Sequence, residues 1–498
     1  MRFAKILSVA ALPMFLFACS DDNSSFATTA PESEKPEEQQ PPLDSIPENE
    51  KEVKLTRDFS DVWSGSGTAE DPFLVTNEQQ LASIEFYVSD SAMTFRGMYF
   101  KQTADIALTK AWKPIGIFGK NAYGYGNRSF SGSYDGSSKT ISGLTISDTA
   151  SYSGLFGLTR GARISNVVLK GAKMNVGTNA GVLAGKMDST IVENCVLEDI
   201  EISGKDRVGG LVGEASNVSV ANVAVSGIVK GENSVGGVVG RLQDGSFDNV
   251  VNKADVTGKS TVGGVAGAFA TTSKNEAAAE NVGFVRDLLN YGNVTGTSNV
   301  AGVIASLSST KADHVGNYGA VTADEGAMSN VAGVFAETSN NSVVNEVFNA
   351  GKVSVKKAMA TGGVFGSLKN STAKNVFNQG ELAGQASNLG GLAGIIDGQS
   401  NVESSYNAGT IPNENYAGTV AGSGKSTITL TKVFYDSTVG EGCQVFGGDA
   451  PFGIAIPTGV TTADMKAATF VATLNGAGSV WTIDPTKFNG YPSFSWIK

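Results

Sequence analysis

The chain has 498 residues, among them 62 glycines, 13 prolines, 3 cysteines and 1 histidine, and carries a formal charge of −11. An apolar content of 41% allows a large core. Glycine follows no Gly-X-Y triplet, and no basic cluster interleaved with aromatics suggests nucleic acid. One histidine excludes an H-E-x-x-H zinc protease, and no Cys/His cluster has metal spacing, so neither cofactor nor metal is expected.

Residues 1–19 read MRFAKILSVAALPMFLFAC. Arg2 and Lys5 precede a short apolar run from Ile6 to Ala18, the pattern of an export signal too short to span a bilayer. The run ends in Leu16-Phe17-Ala18-Cys19, which resembles the lipobox of bacterial lipoproteins. That resemblance implies acyl chains of the palmitate kind on Cys19 and a membrane as partner. Ser20-Asp21-Asp22-Asn23 is similar to the acidic export tag of surface lipoproteins in Bacteroidetes-like bacteria, implying an outer-membrane protein facing outward. Residues 20–57 hold ten acids against four bases, a net −6, and are rich in Pro, Glu, Gln and Ser. Such a segment buries too little apolar surface to fold and reads as an extended tether.

Residues 58–150 are expected to form an N-terminal cap and first coils. Phe73-Leu74-Val75 reads as a short strand. Thr76 with Gln79 fits a capping box, and Leu81, Ile84 and Val88 fall on one helical face. A helix here would cover the open end of a stack. Further short β-like runs follow at 97–100 and 112–116, and 129–146 carries a turn at Tyr134-Asp135-Gly136.

Residues 151–424 are built on one unit. VGGLVG (208–213) returns as VGGVVG, VGGVAG, VAGVIA, VAGVFA, TGGVFG and LGGLAG, most copies 27–31 residues apart. Its glycines are taken as Gly154, Gly181, Gly210, Gly237, Gly264, Gly302, Gly333, Gly363, Gly391 and Gly418. A fixed period with three short Val-rich runs separated by Gly/Asn/Ser corners indicates a stacked β-architecture. A polar column runs behind the glycines: Asn166, Asn194, Asn222, Asn249, Asp287, His314, Glu346, Asn375, Ser404 and Lys432. Three places on, Leu169, Leu197 and Val225 give way to Asn252, Asn290, Asn317, Asn349, Asn378 and Asn407 in an N-x-[GA] pattern. This second column is read as a structural ladder, since Asn tolerates left-handed backbone and stacked amides bond to one another; a sugar-binding amide row is the functional alternative. The period lengthens once, by about ten residues, at an insert centred on 271–281. Residues 425–498 read as last coils and a cap, with a helix from about Thr461 to Leu474.

The order W-K-P-I-G (112–116), F-S-G-S-Y-D-G (130–136), K-T-I-S-G-L-T-I (139–146) and S-G-L-F-G (153–157) is similar to bacterial surface proteins carrying the GLUG motif. The resemblance covers roughly 64–498 and implies an all-β fold: a right-handed parallel β-helix with short N- and C-terminal capping helices. That family spans adhesin-like proteins, uncharacterised lipoproteins and the N-terminal regions of some immunoglobulin-cleaving proteases.

The chemistry legible in the sequence is sparse. A Ser-His-Asp triad would need His314, which reads as solvated surface. Cys195 and Cys443 read as free thiols, too many coils apart for a disulfide. Scattered acids, Glu193, Glu198, Asp199, Glu201, Asp206, Asp244, Asp248 and Asp255, leave room for a polysaccharide lyase or hydrolase with carboxylates on adjacent coils. The expectation is a monomeric, non-enzymatic surface rod, adhesin-like or structural, contacting extracellular polysaccharide or another surface protein. Function is expected where the repeat breaks, at 271–281, or on the polar column beside it.

Overall fold

The computed structural model describes residues 58–119, 126–147, 150–272, 283–324, 329–412 and 416–497. Cys19 with its signal, the tether at 20–57 and the insert from 273 onward lie outside the described residues. The chain forms a parallel β-solenoid of about 13 turns with few short helices. At about 4.8 Å per turn, the rod is ~60 Å long.

One turn shows how the sequence builds it. Two of the three apolar runs are each split by a corner, so five short segments follow one another: 206–209, 212–216, 218–221, 223–225 and 228–230. Each pairs in parallel with the next turn, as in Val208↔Val235, Val212↔Val239, Val220↔Phe247, Val223↔Val250 and Val229↔Val256. Like residues therefore stack on like, and Val208, Val212, Val220, Val223 and Val229 are fully buried in one continuous interior. β-Branched side chains suit this half-pleated surface.

The polar column is one left-handed corner of ten successive turns. Asn166, Asn194, Asn222, Asn249, Asp287, His314, Glu346, Asn375, Ser404 and Lys432 all have φ between 50° and 57°. Asn and Asp adopt this backbone cheaply, whereas Glu346, Ser404 and Lys432 hold it at ~1–2 kcal/mol each because the stacked turns on either side impose it. The sequence reading placed left-handed backbone on the wrong column: none of Asn252, Asn290, Asn317, Asn349, Asn378 and Asn407 is left-handed.

The repeat glycines also divide. Gly210, Gly237, Gly264, Gly302, Gly333, Gly363 and Gly391 share one register, each nearest the carbonyl of the residue stacked on it in the next turn. Gly154, Gly181 and Gly418 stand one place earlier, since Gly181 pairs with Gly209 and Gly390 with Gly418. A motif match on glycine alone hid this shift. The first register matters because a Cβ on Gly333 would sit 2.2 Å from both the Gly363 carbonyl oxygen and Cγ of Asn349. Glycine column and asparagine column thus face each other across the interior.

The N-terminal end is closed by α1 (Glu78–Ser89), which buries Leu81, Ile84, Tyr87 and Val88. Its cap is Asn77, one residue later than the capping box expected at Thr76: Asn77 Oδ1 accepts from the Gln80 amide at 3.0 Å, and Gln80 Oε1 accepts from the Thr76 amide at 2.8 Å. Phe59, Trp63, Phe73, Tyr87, Phe95 and Phe100 pack beneath it. The stretch 112–116 contributes an isolated bridge at Ile115, and Tyr134 lies in a strand with the turn after it.

The tail after Val460 packs on the side of the rod. The expected single helix is two, α2 (Thr462–Met465) and α3 (Ala468–Asn475), followed by an antiparallel pair, Trp481–Ile483 with Pro492–Phe494. Met465, Phe470, Leu474, Trp481, Tyr491 and Phe494 cluster with Leu289, Phe348, Phe377 and Tyr406, the outward-facing residues beside the internal asparagines. Tyr406 donates a hydrogen bond to the Pro492 carbonyl, and Tyr491 donates to Asp436 Oδ2 at 2.5 Å. The tail is a lateral strap across several turns.

Candidate functional site

The internal asparagines form a closed ladder. Nδ2 of Asn252, Asn290, Asn317, Asn349 and Asn378 each donates to Oδ1 of the next member at 2.8–2.9 Å. Each of the six also donates to the carbonyl two residues on, at 2.8–3.1 Å. All but Asn407 are fully buried, and Asn407 is 4% exposed. Amides so satisfied cannot meet a sugar, so the amide-row alternative is ruled out by burial.

A cleft of about 400 Å³ opens near the N-terminal end, lined by Val88, Phe118, Arg128, Arg160, Lys186 and Asp188 among others. Phe118 is 41% exposed and stacks on Tyr152 with centroids 4.1 Å apart. Lys186 Nζ lies 5.4 Å from the Phe118 ring and pairs with Glu214 at 3.1 Å; Arg160 pairs with Asp188 at 3.1 Å. Three cations, two of them paired with carboxylates, border an exposed aromatic face.

The second cluster lies on the polar column. His314 Nδ1 donates to Asp287 Oδ1 at 2.7 Å, while Nε2 faces Glu346 Oε2 at 3.3 Å and Asp313 Oδ2 at 3.8 Å. Trp496 of the strap stacks on the imidazole at 4.8 Å. The histidine read as solvated surface is therefore 25% exposed, caged by three carboxylates and covered on one face. Burial alone would push its pKa down. Hydrogen bonds to Asp287 and Glu346, with the charges of Asp313 and Glu346, outweigh that and raise it to about 10. Nε2 meets acceptors, so it is not arranged as the base of a serine triad.

Most acids singled out from sequence hold neighbouring turns together. Glu193 pairs with Arg163 at 2.7 Å, Glu198 with Lys170 at 3.4 Å, and Asp248 with Arg286 at 2.6 Å. Asp206 accepts from Asn233, Asp244 from Thr272 and Asp255 from Asn293. Asp199 is a left-handed corner, and Glu201 lies on an exposed strand position. Cys195 is buried and free, its thiol pushed up to about 12 by burial; Cys443 is free and partly exposed. Sequence reasoning missed the 287–346 cluster, although Asp287, His314 and Glu346 stood consecutively in its polar column.

No family model matches the sequence, so the likeness to GLUG-motif surface proteins rests on the motifs themselves. Halomucin of Haloquadratum walsbyi is 29% identical over 161 residues, 31% of this chain and 2% of halomucin, so the chain spans a small fraction of that relative's length. A crystal structure of a putative immunoglobulin A1 protease from Bacteroides ovatus aligns with a TM-score of 0.31 and 16% identity, covering 87% of this chain and 95% of that one. Neither likeness assigns an activity.

Proposed function

We propose that the chain is a lipid-anchored β-helical rod that binds polysaccharide at the cell surface in an adhesin-like role. The observation that carries this reading is the cleft beside Phe118. An exposed ring stacks on the apolar face of a sugar, and Arg and Lys at its edge donate to hydroxyls or carboxylates. Arg128, Arg160 and Lys186 against Asp188 and Glu214 leave one net positive charge, which favours acidic glycans. The lipobox at Cys19 and the tether at 20–57 support display outward from the outer membrane. The purified chain should bind acidic polysaccharides on a glycan array, and Phe118→Ala with Lys186→Gln should weaken binding at least tenfold. Equal binding by the double variant refutes the cleft. Protease treatment of intact cells should remove the rod, and full protection would refute surface display.

A second reading, a carboxylate-based polysaccharide enzyme, draws on the acids around His314, which lie close together beside Arg286. Its test is release of new chain ends from acidic polysaccharide, lost in Glu346→Gln.

A further inference from the structure

The cluster around His314 has the parts of a metal centre, which the residue spacing did not reveal because its members come from neighbouring turns. We propose that Asp313, His314 and Glu346 bind one divalent cation of the zinc type.

The donor atoms of these three residues lie within 4.8 Å of one another. Tetrahedral bonds of about 2.0–2.2 Å place the donors ~3.3–3.6 Å from one another. The observed 3.3 Å from Nε2 to Glu346 Oε2 matches that spacing, and the 3.8 Å to Asp313 Oδ2 is a few tenths of an ångström wider. Binding would draw the donors, now within 4.8 Å of one another, onto the ion.

The surrounding groups fix each ligand. Asp287 accepts the Nδ1 proton, which orients the ring and directs Nε2 at the two carboxylates. Asn345 donates to Asp313 Oδ1 at 2.8 Å and to Glu346 Oε1 at 3.2 Å. It therefore engages one oxygen of each carboxylate and leaves Oδ2 and Oε2 turned to the site. Asn375 in turn donates to Asn345 Oδ1 at 2.8 Å, and Trp481 of the strap donates to Asn375. A histidine backed by a carboxylate, with ligating carboxylates held by hydrogen bonds, is how proteins orient metal ligands.

Charge agrees with geometry. Asp287, Asp313 and Glu346 outnumber the single imidazolium, and Arg286 is shared with Asp248. The ion would join two consecutive turns of the rod beside Trp496, which stacks on the His314 imidazole.

The test uses the full chain in detergent, stripped with chelator, in a Cys443→Ser background that removes the partly exposed thiol. Calorimetry with Zn²⁺ alone should give one site per chain. His314→Gln should weaken it ~100-fold and Asp313→Asn, at a more exposed position, ~10-fold. Glu381→Gln, whose carboxylate pairs with Lys352 elsewhere on the rod, should leave it unchanged. Cu²⁺ at the site should quench Trp496, and Trp496→Phe should lose that component while still binding Zn²⁺. Absence of saturable Zn²⁺ binding, or equal affinity in His314→Gln and Asp313→Asn, overturns the proposal.

Discussion

Replacing Asn349 by Leu tests whether the internal ladder stabilises the rod or merely fills it. Asn349 makes four hydrogen bonds: Nδ2 to Gly351 O at 2.8 Å and to Asn378 Oδ1 at 2.9 Å, and Oδ1 from Asn317 Nδ2 at 2.9 Å and from the Gly351 amide at 3.2 Å. Leucine removes all four; Asn317 Nδ2 keeps the Gly319 carbonyl and Asn378 Oδ1 keeps the Gly380 amide, so the Gly351 carbonyl and amide are the groups stranded. At ~1–3 kcal/mol for each group so stranded, the expected loss is ~2–6 kcal/mol. Asn252 is the end of the ladder, because the turn below carries Val225. It makes three such bonds, and only one reaches another asparagine. Asn252→Leu strands the Ala254 carbonyl and amide in the same way and should cost about as much. Solenoids unfold in segments, so local measurement is the better assay. Hydrogen exchange should accelerate at the Gly351 and Gly380 amides in Asn349→Leu, while exchange near Val196 stays unchanged. Turns at Leu169 and Leu197 already accept leucine at this position. If Asn349→Leu is as stable as the parent, the ladder is interchangeable filler and the reasoning fails.

Gly333→Ala should be at least as damaging, because its methyl carbon would overlap a carbonyl oxygen on the next turn at 2.2 Å; a thermal midpoint within a degree of the parent would contradict the close approach. Removing 461–498 should expose Phe348, Phe377 and Tyr406, seen as increased binding of a hydrophobic dye and loss of solubility. Tyr406→Phe removes the bond to the Pro492 carbonyl and should speed exchange in the strap with little effect on the coils, a change of ~1 kcal/mol. In the folded chain at pH 8, an aromatic disulfide reagent should modify Cys443 and leave Cys195 unmodified, since burial both shields the Cys195 thiol and pushes it up to about 12. Rapid reaction at Cys195 would show that the interior opens.

The sequence by itself determined the solenoid. Each turn repeats the same short apolar runs and corners, and a parallel stack is the arrangement in which every such run finds its own copy above and below. The two polar columns were legible for the same reason, as was the amphipathic helix that closes the N-terminal end. Their roles were not. Asn is compatible both with left-handed backbone and with amide stacking, so composition could not say which column did which; the turn geometry assigned Asn222 and His314 to the corner and Asn252 and Asn349 to the interior. The strap was hidden because its contacts span the chain, as between Tyr406 and Pro492, and no local pattern encodes them. The His314 cluster was hidden by register. Asp287, His314 and Glu346 are separated by turns of unequal length, and only stacking those turns at ~4.8 Å brings their side chains within reach of one another.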